Sequence, residues 1–187
     1  MEKRYLGVIG LILAIYGIFS AIKFCNIYWY TPFTIGGTLF LGYINYTRKN
    51  ENILTSFEKN PKRIFKIYLF YVLMAIIIEY LGRFMLNAWS YEGFTKQQEI
   101  IHVFLIFYPF GFSFIYETFI LIKEKIKSFN NALITTTLAN AFLHEIPNTF
   151  VYAWRYNLNF GFEIIRVNIW VIISWLILVE IPIIINQ

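Results

Sequence analysis

Apolar residues in this chain come in runs of about twenty, the length at which a helix crosses the hydrocarbon core of a bilayer. Six such runs can be read, at residues 5–22, 27–46, 67–88, 101–122, 132–153 and 164–185. Each is long enough to span with a modest tilt. Of the 187 residues, 58% are hydrophobic and only 14% charged, whereas a soluble domain carries about 25% charged residues and needs them to cover its surface. The expected fold is all-α: a polytopic bundle of six transmembrane helices forming one domain over residues 1–187, in a prokaryotic cytoplasmic membrane. The first run has no cleavage-site signature and is read as a retained helix.

Basic residues set the orientation. Lys3 and Arg4 precede the first run. Arg48, Lys49, Lys59, Lys62, Arg63 and Lys66 lie between the second and third, in a basic loop at 47–66, and Lys123, Lys125 and Lys127 lie between the fourth and fifth. Six spans put all of these on one side. Lys23, Lys96, Arg155 and Arg166 fall near the other, and Arg83 lies inside a run. The positive-inside rule then places both termini in the cytoplasm. The net charge of +5 is thus a statement about topology, and nucleic acid is not an expected partner.

Several chemistries are excluded at once. All eleven acidic residues are Glu, so Asp-rich magnesium motifs, aspartyl intramembrane proteolysis and Asp phosphoenzymes are impossible. No Gly-rich phosphate loop is present. The single cysteine, Cys25, allows neither an internal disulfide nor a CxxC site. No cofactor is implied. Aromatic abundance argues little by itself, because Ile, Phe, Lys, Asn and Tyr are enriched together as in AT-rich genomes.

The ionisable residues inside the runs are more informative, since a charge at the bilayer centre costs about 2.5–3.5 kcal/mol on insertion scales and needs a partner or a wet cavity. Glu79 and Arg83 are spaced i, i+4 and can pair on one helix face. Asn140, His144 and Asn148 form a polar stripe along the fifth run, extended by Thr137 and interrupted by Pro147. That stripe must face the bundle interior, either as interhelical glue or as a relay site. Pro109, Ser113 and Glu117 share a face of the fourth run, with Tyr116 beside them. In the sixth run Arg166, Trp170 and Ser174 are placed on one face, and Glu180 is shallow. The sequence His144-Glu145-Ile146-Pro147-Asn148 has Asn where a zinc-binding HExxH motif needs its second histidine, and no metal is expected.

An internal repeat also emerges. Ala88-Trp89-Ser90-Tyr91 ends the third run and Ala153-Trp154-Arg155-Tyr156 ends the fifth. An interfacial aromatic belt and a duplicated helical hairpin both account for it, and the two are compatible. Glu79, Glu117 and His144 are the candidate catalytic residues. Arg83, Trp89, Tyr91, Tyr116, Asn140, Asn148 and Trp154 are the candidate cavity residues.

Two resemblances bear on function. Over residues 67–122, and more faintly over 132–186, the order Glu79-Tyr80, Trp89-Ser90-Tyr91, Pro109 and Tyr116-Glu117-Thr118-Phe119 resembles the repeating unit of the membrane-embedded lycopene cyclases of the heterodimeric and fungal type. The resemblance implies an isomerase that cyclises a linear isoprenoid after protonating a carbon–carbon double bond. Glu117 stands alone where those cyclases carry paired acids close behind the proline. Glu79-x-x-x-Arg83 and His144-x-x-x-Asn148 are similar to motifs of the CAAX-protease and bacteriocin-immunity family, which implies that Glu79 activates a water and His144 helps position it or the oxyanion. The first glutamate of that family's motif is Ile78 here, and its middle histidine motif is missing.

Three classes therefore compete. One is an enzyme acting on an apolar isoprenoid or lipid by acid–base chemistry. The others are a proton- or solute-coupled transporter, and a non-catalytic membrane partner held by polar helix contacts. Assembly with itself or with another membrane chain stays open.

Overall fold

The computed structural model describes residues 3–157 and 161–186. The described residues are mostly helical, with α1 at Lys3–Phe24, α2 at Tyr30–Thr47, a short α3 at Ile53–Lys59 and α4 at Pro61–Glu79. A π-helical stretch, Tyr80–Met85, continues α4. The strand β1 (Trp89–Tyr91) follows, then α5 (Lys96–Glu99), a second π-helical stretch at Ile100–Phe107, and α6 at Tyr108–Lys125. The long helix α7 (Phe129–Val151) leads to β2 (Trp154–Tyr156), the two-residue strands β3 (Glu163–Ile164) and β4 (Val167–Asn168), and α8 (Ile169–Asn186).

Four helices are long and apolar enough to cross a membrane: Lys3–Phe24, Pro61–Met85, Lys96–Lys125 and Ile169–Asn186. The segments α2 and α7 occupy the other two expected spans but are more polar. Their polar residues turn inward. Thr34, Thr38 and Asn45 of α2 are buried, as are Thr136, Thr137, Asn140, His144, Glu145 and Asn148 of α7. Outward faces of α1, α4 and α8 instead expose Ile, Leu and Phe side chains.

Close packing of α1 on α2 depends on glycine. A Cβ at Gly10 would lie 2.6 Å from the Gly36 carbonyl, and one at Gly36 would lie 2.5 Å from Gly10 O and Ala14 N. Small residues bring the two backbones together, as in membrane helix pairs generally. The core then divides in two. One cluster joins Tyr71, Phe112, Ile115, Phe119, Val171 and Trp175 among α4, α6, α7 and α8. The other joins Trp29, Tyr30, Phe33, Phe107, Phe114 and Trp154. Helix α6 contributes to both, so it is the central post.

Several expectations are corrected in detail. The basic loop at 47–66 is largely helical: Asn52 caps α3 by accepting from Thr55 N at 2.9 Å, and Asn60 caps α4 with Pro61 in its first turn. Lys62, Arg63 and Lys66 therefore ride on the first turns of α4. Arg166 sits at φ 64° in the β3–β4 connection, outside α8, and does not share a helix face with Trp170 and Ser174. The Trp-Ser-Tyr and Trp-Arg-Tyr stretches are strands, where helix ends were expected.

Candidate aromatic chamber

Strand alternation puts Trp89 and Tyr91 on one face of β1, and Trp154 and Tyr156 on one face of β2. The strands pair antiparallel, with Trp89 opposite Tyr156, Ser90 opposite Arg155 and Tyr91 opposite Trp154. Equivalent residues are thus exchanged about the centre of the pair. Beneath this sheet lie two buried carboxylates. Glu79 accepts from Tyr91 Oη at 2.6 Å, Tyr108 Oη at 2.8 Å and Trp89 Nε1 at 3.3 Å. Glu145 accepts from Tyr156 Oη at 2.7 Å, Trp175 Nε1 at 3.0 Å and Trp154 Nε1 at 3.1 Å.

The two sets match part for part. Each carboxylate takes a Trp and a Tyr from one strand and a third aromatic donor from a later helix, α6 or α8. Among the described residues neither carboxylate forms an ion pair. Tyr91 and Tyr156 lie outside the helices. Their burial, reinforced by the neighbouring carboxylate, pushes both phenols well above the ordinary range, so they remain protonated donors.

Local geometry explains the placement. Glu79 is the last α-helical residue before the first π-helical stretch, and Tyr108 is the first after the second. Wider π turns are common at sites where a side chain must be re-aimed. Gly82 leaves room for the Trp89 indole, whose Cη2 lies 1.7 Å from where a Cβ would be. In the other half Asn148 holds the backbone of Trp154, donating to its carbonyl at 2.8 Å and accepting from its N–H at 3.3 Å.

The six aromatics border a cavity of about 400 Å³ between sheet and helices, together with Tyr30, Gly111, Ser174 and Glu145. Glu79 stands behind its three donors. Leu86 and Ile177, 74% and 65% exposed, line the cavity along with Ile78, Leu81 and Leu178. The rim between α4 and α8 is therefore apolar.

The other expected residues sort clearly. Trp89, Tyr91 and Trp154 are at the chamber. His144 is fully buried and hydrogen-bonds through Nδ1 to Tyr30 Oη, which places it one residue behind the wall. Asn148 positions Trp154. Asn140, also fully buried, donates to Thr136 O at 2.9 Å. Arg83 does not pair with Glu79: its salt bridge is to Glu99, and its guanidinium lies 5.2 Å from the Tyr91 ring centre. The π-helical turn, in which hydrogen bonding shifts to i+5, removes the i, i+4 alignment that the expectation assumed.

Glu117 lies apart from the chamber. It is fully buried and accepts from Asn45 Nδ2 at 2.7 Å and from Ile53 N at 2.5 Å, so it fastens the start of α3. Tyr116 donates to Glu51 at 3.5 Å and faces a different cavity. Glu180 is exposed. His102 contacts Thr31 at 3.0 Å.

Sequence reasoning passed over Glu145, Tyr108, Tyr156, Trp175 and Tyr30 as site residues. A signal for Glu145 was present. Superposing the two Trp-x-Tyr stretches brings Glu79, ten residues before Trp89, to within one position of Glu145, nine before Trp154.

Fold and site together define a helical bundle with four bilayer-length apolar helices and an aromatic chamber flanked by two carboxylates. No family model, curated protein or solved structure matches this chain.

Proposed function

We propose that this chain is an integral membrane enzyme that takes an apolar isoprenoid or lipid into the aromatic chamber and acts on it by proton transfer. The observation that carries this reading is the chamber itself. Indole and phenol groups turn their N–H and O–H toward Glu79 or Glu145, the ring surfaces border the cavity, and its rim is apolar. A water-filled transport path would instead call for a polar mouth.

Six spans with both termini in the cytoplasm fit the bundle. The inward-facing polar residues of α2 and α7 support counting both as spans despite their composition. The Lys3–Glu58 ion pair at 2.6 Å and the Arg63 bond to Asn186 O at 3.2 Å support placing the start of α1 and the end of α8 together at the basic end. The matched donor sets support a duplicated hairpin.

In the chemistry proposed, Glu145 at the chamber wall is the acid–base group. Its protonated form adds the proton to one carbon of a substrate double bond, leaving a carbocation on the other. Trp and Tyr faces stabilise that cation. The resulting carboxylate then removes a proton from an adjacent carbon, forming a new double bond. Substrate and product are isomers, and no oxidant or cofactor enters. Glu79 holds Tyr91 and Tyr108 in place, taking a positioning role. His144 keeps Tyr30 oriented, and Glu117 takes no part.

The test is to isolate the full-length protein, extract its bound lipids for mass spectrometry, and repeat after incubation in deuterated water. An isoprenoid carrying deuterium on carbon is expected from the native protein, and an unlabelled one from Glu145→Gln. A bound isoprenoid that never acquires deuterium would reduce the chamber to a binding site. Recovery of no apolar ligand that Gly111→Leu can displace would sink the whole reading.

A further inference from the structure

A second and larger cavity, of about 890 Å³, lies at the opposite end, beneath α3. It shares none of the chamber's residues. Its walls are of two kinds. Leu39, Ile64, Ile67, Pro109 and Phe110 form apolar surface from α2, α4 and α6. The polar groups among them are turned away into the helices: Thr38 donates to Phe110 O at 3.0 Å, Ser113 to Pro109 O at 2.9 Å and Tyr68 to Leu105 O at 2.7 Å. Hydroxyls already committed to backbone carbonyls offer little to a polar ligand, so this part suits hydrocarbon.

The opening is different. Lys3, Lys49, Lys59 and Arg63 border it, against only Glu51 and Glu58. Lys3 is taken by Glu58 at 2.6 Å. Lys49 and Lys59 are exposed and have no acidic partner among the described residues, while Arg63 reaches only a main-chain carbonyl. Cations gathered at one end of an apolar cleft are complementary to one kind of small molecule, a hydrocarbon chain ending in an anionic group. Phosphate is the group that lysine and arginine hold best together.

We propose that the cavity beneath α3 binds a phosphate-headed amphiphile, with the phosphate at Lys49, Lys59 and Arg63 and the chain extending past Ile64 and Ile67 toward Pro109. The phosphate belongs either to a bilayer phospholipid or to a free prenyl phosphate. Nothing in this assignment depends on chemistry at Glu145.

The full-length protein in uncharged detergent is titrated with geranylgeranyl phosphate, geranylgeraniol and inorganic phosphate, and binding is read by native mass spectrometry and thermophoresis. The prenyl phosphate is expected to saturate one site. The alcohol and the double variant Lys49→Gln/Lys59→Gln should each weaken binding by about tenfold or more, as expected for lost charge-assisted contacts. Lys49→Arg/Lys59→Arg should restore it, and Glu145→Gln should leave it unchanged. Displacement by phosphatidylglycerol in nanodiscs would assign the site to a bilayer lipid, and its failure to displace would assign it to the free prenyl phosphate. Equal binding of alcohol and phosphate, or a double Gln variant that binds as the native protein does, would overturn the proposal.

Discussion

Tyr91 lies directly opposite Trp154 in the β1–β2 pair, yet the two side chains serve different carboxylates, Tyr91 donating to Glu79 and Trp154 to Glu145. The two-stranded sheet is therefore a bridge between the halves of the site. A disturbance on either strand reaches both carboxylates, which gives the chamber walls a shared mechanical origin.

Asn148→Ala tests that bridge. It removes both bonds that hold the Trp154 backbone and leaves buried polar groups unpaired, at a cost of about 1–3 kcal/mol. Near-ultraviolet circular dichroism should lose aromatic signal from both halves. A change confined to one tryptophan would show that the strands act independently.

Gly82→Ala should displace the Trp89 indole, because the new methyl would lie 1.7 Å from its Cη2. Overpacking of this kind costs about 1–3 kcal/mol. Tryptophan fluorescence should shift to the red and thermal stability should fall, while Gly111→Leu, whose Cβ meets only the Tyr30 hydroxyl at 3.3 Å, should fill the chamber with less loss.

Glu79→Gln and Glu145→Gln should each destabilise the protein. A carboxamide turns one of its two positions into a donor, and the neighbours are all donors. At Glu145, whose donors are divided between the two oxygens, a buried N–H or O–H then faces an NH2 group, costing about 1–3 kcal/mol. At Glu79 all three donors reach Oε1 and only the Trp89 N–H, shared with Oε2, meets the NH2, so the loss is smaller. Thermal unfolding in detergent measures this, and an unchanged midpoint would mean that the carboxylate contacts contribute no net stability.

Glu117→Gln should act on α3 and leave the chamber alone. The bond to Ile53 N weakens, the segment carrying Lys49 and Lys59 opens more often, and limited trypsin digestion should cut there sooner. Apolar ligand recovered from the chamber should be unaltered. Loss of that ligand would put Glu117 back in the mechanism.

Gly36→Leu should prise α1 from α2, since even a Cβ there would lie 2.5 Å from the α1 backbone. Loss of stability in detergent is expected. The same substitution at Gly93, where φ is 80° and a Cβ would meet the Ile27 side chain at 3.2 Å, should act through backbone strain and that local contact and leave the helix pair intact.

Long-range apolar patterning was legible because it needs only local information. Each apolar run is largely helix, and the inward direction of Asn140, His144 and Asn148 followed from their common face. The Trp-x-Tyr repeat was equally visible. What it formed was not: alternation over three residues is too short to distinguish a strand from a helix end, and only the partner strand decides. The Glu79–Arg83 pair failed for a related reason. Its i, i+4 spacing is a contact only in an α-helix, and a π-helical stretch begins at Tyr80.

The sequence by itself determined that the fold is of the all-α class, how its apolar segments are spaced, that the polar residues within those segments must face inward, and that Asp- and disulfide-based chemistry is impossible. These follow from composition and periodicity, which act residue by residue. Only the tertiary structure decided which carboxylates share a site. Glu79 and Glu145 are far apart in sequence and are joined through a sheet of six residues, whereas Glu117, equally buried, fastens a loop at the other end. Burial marks a carboxylate as costly, but its role is set by the donors that offset that cost, and those arrive from other elements.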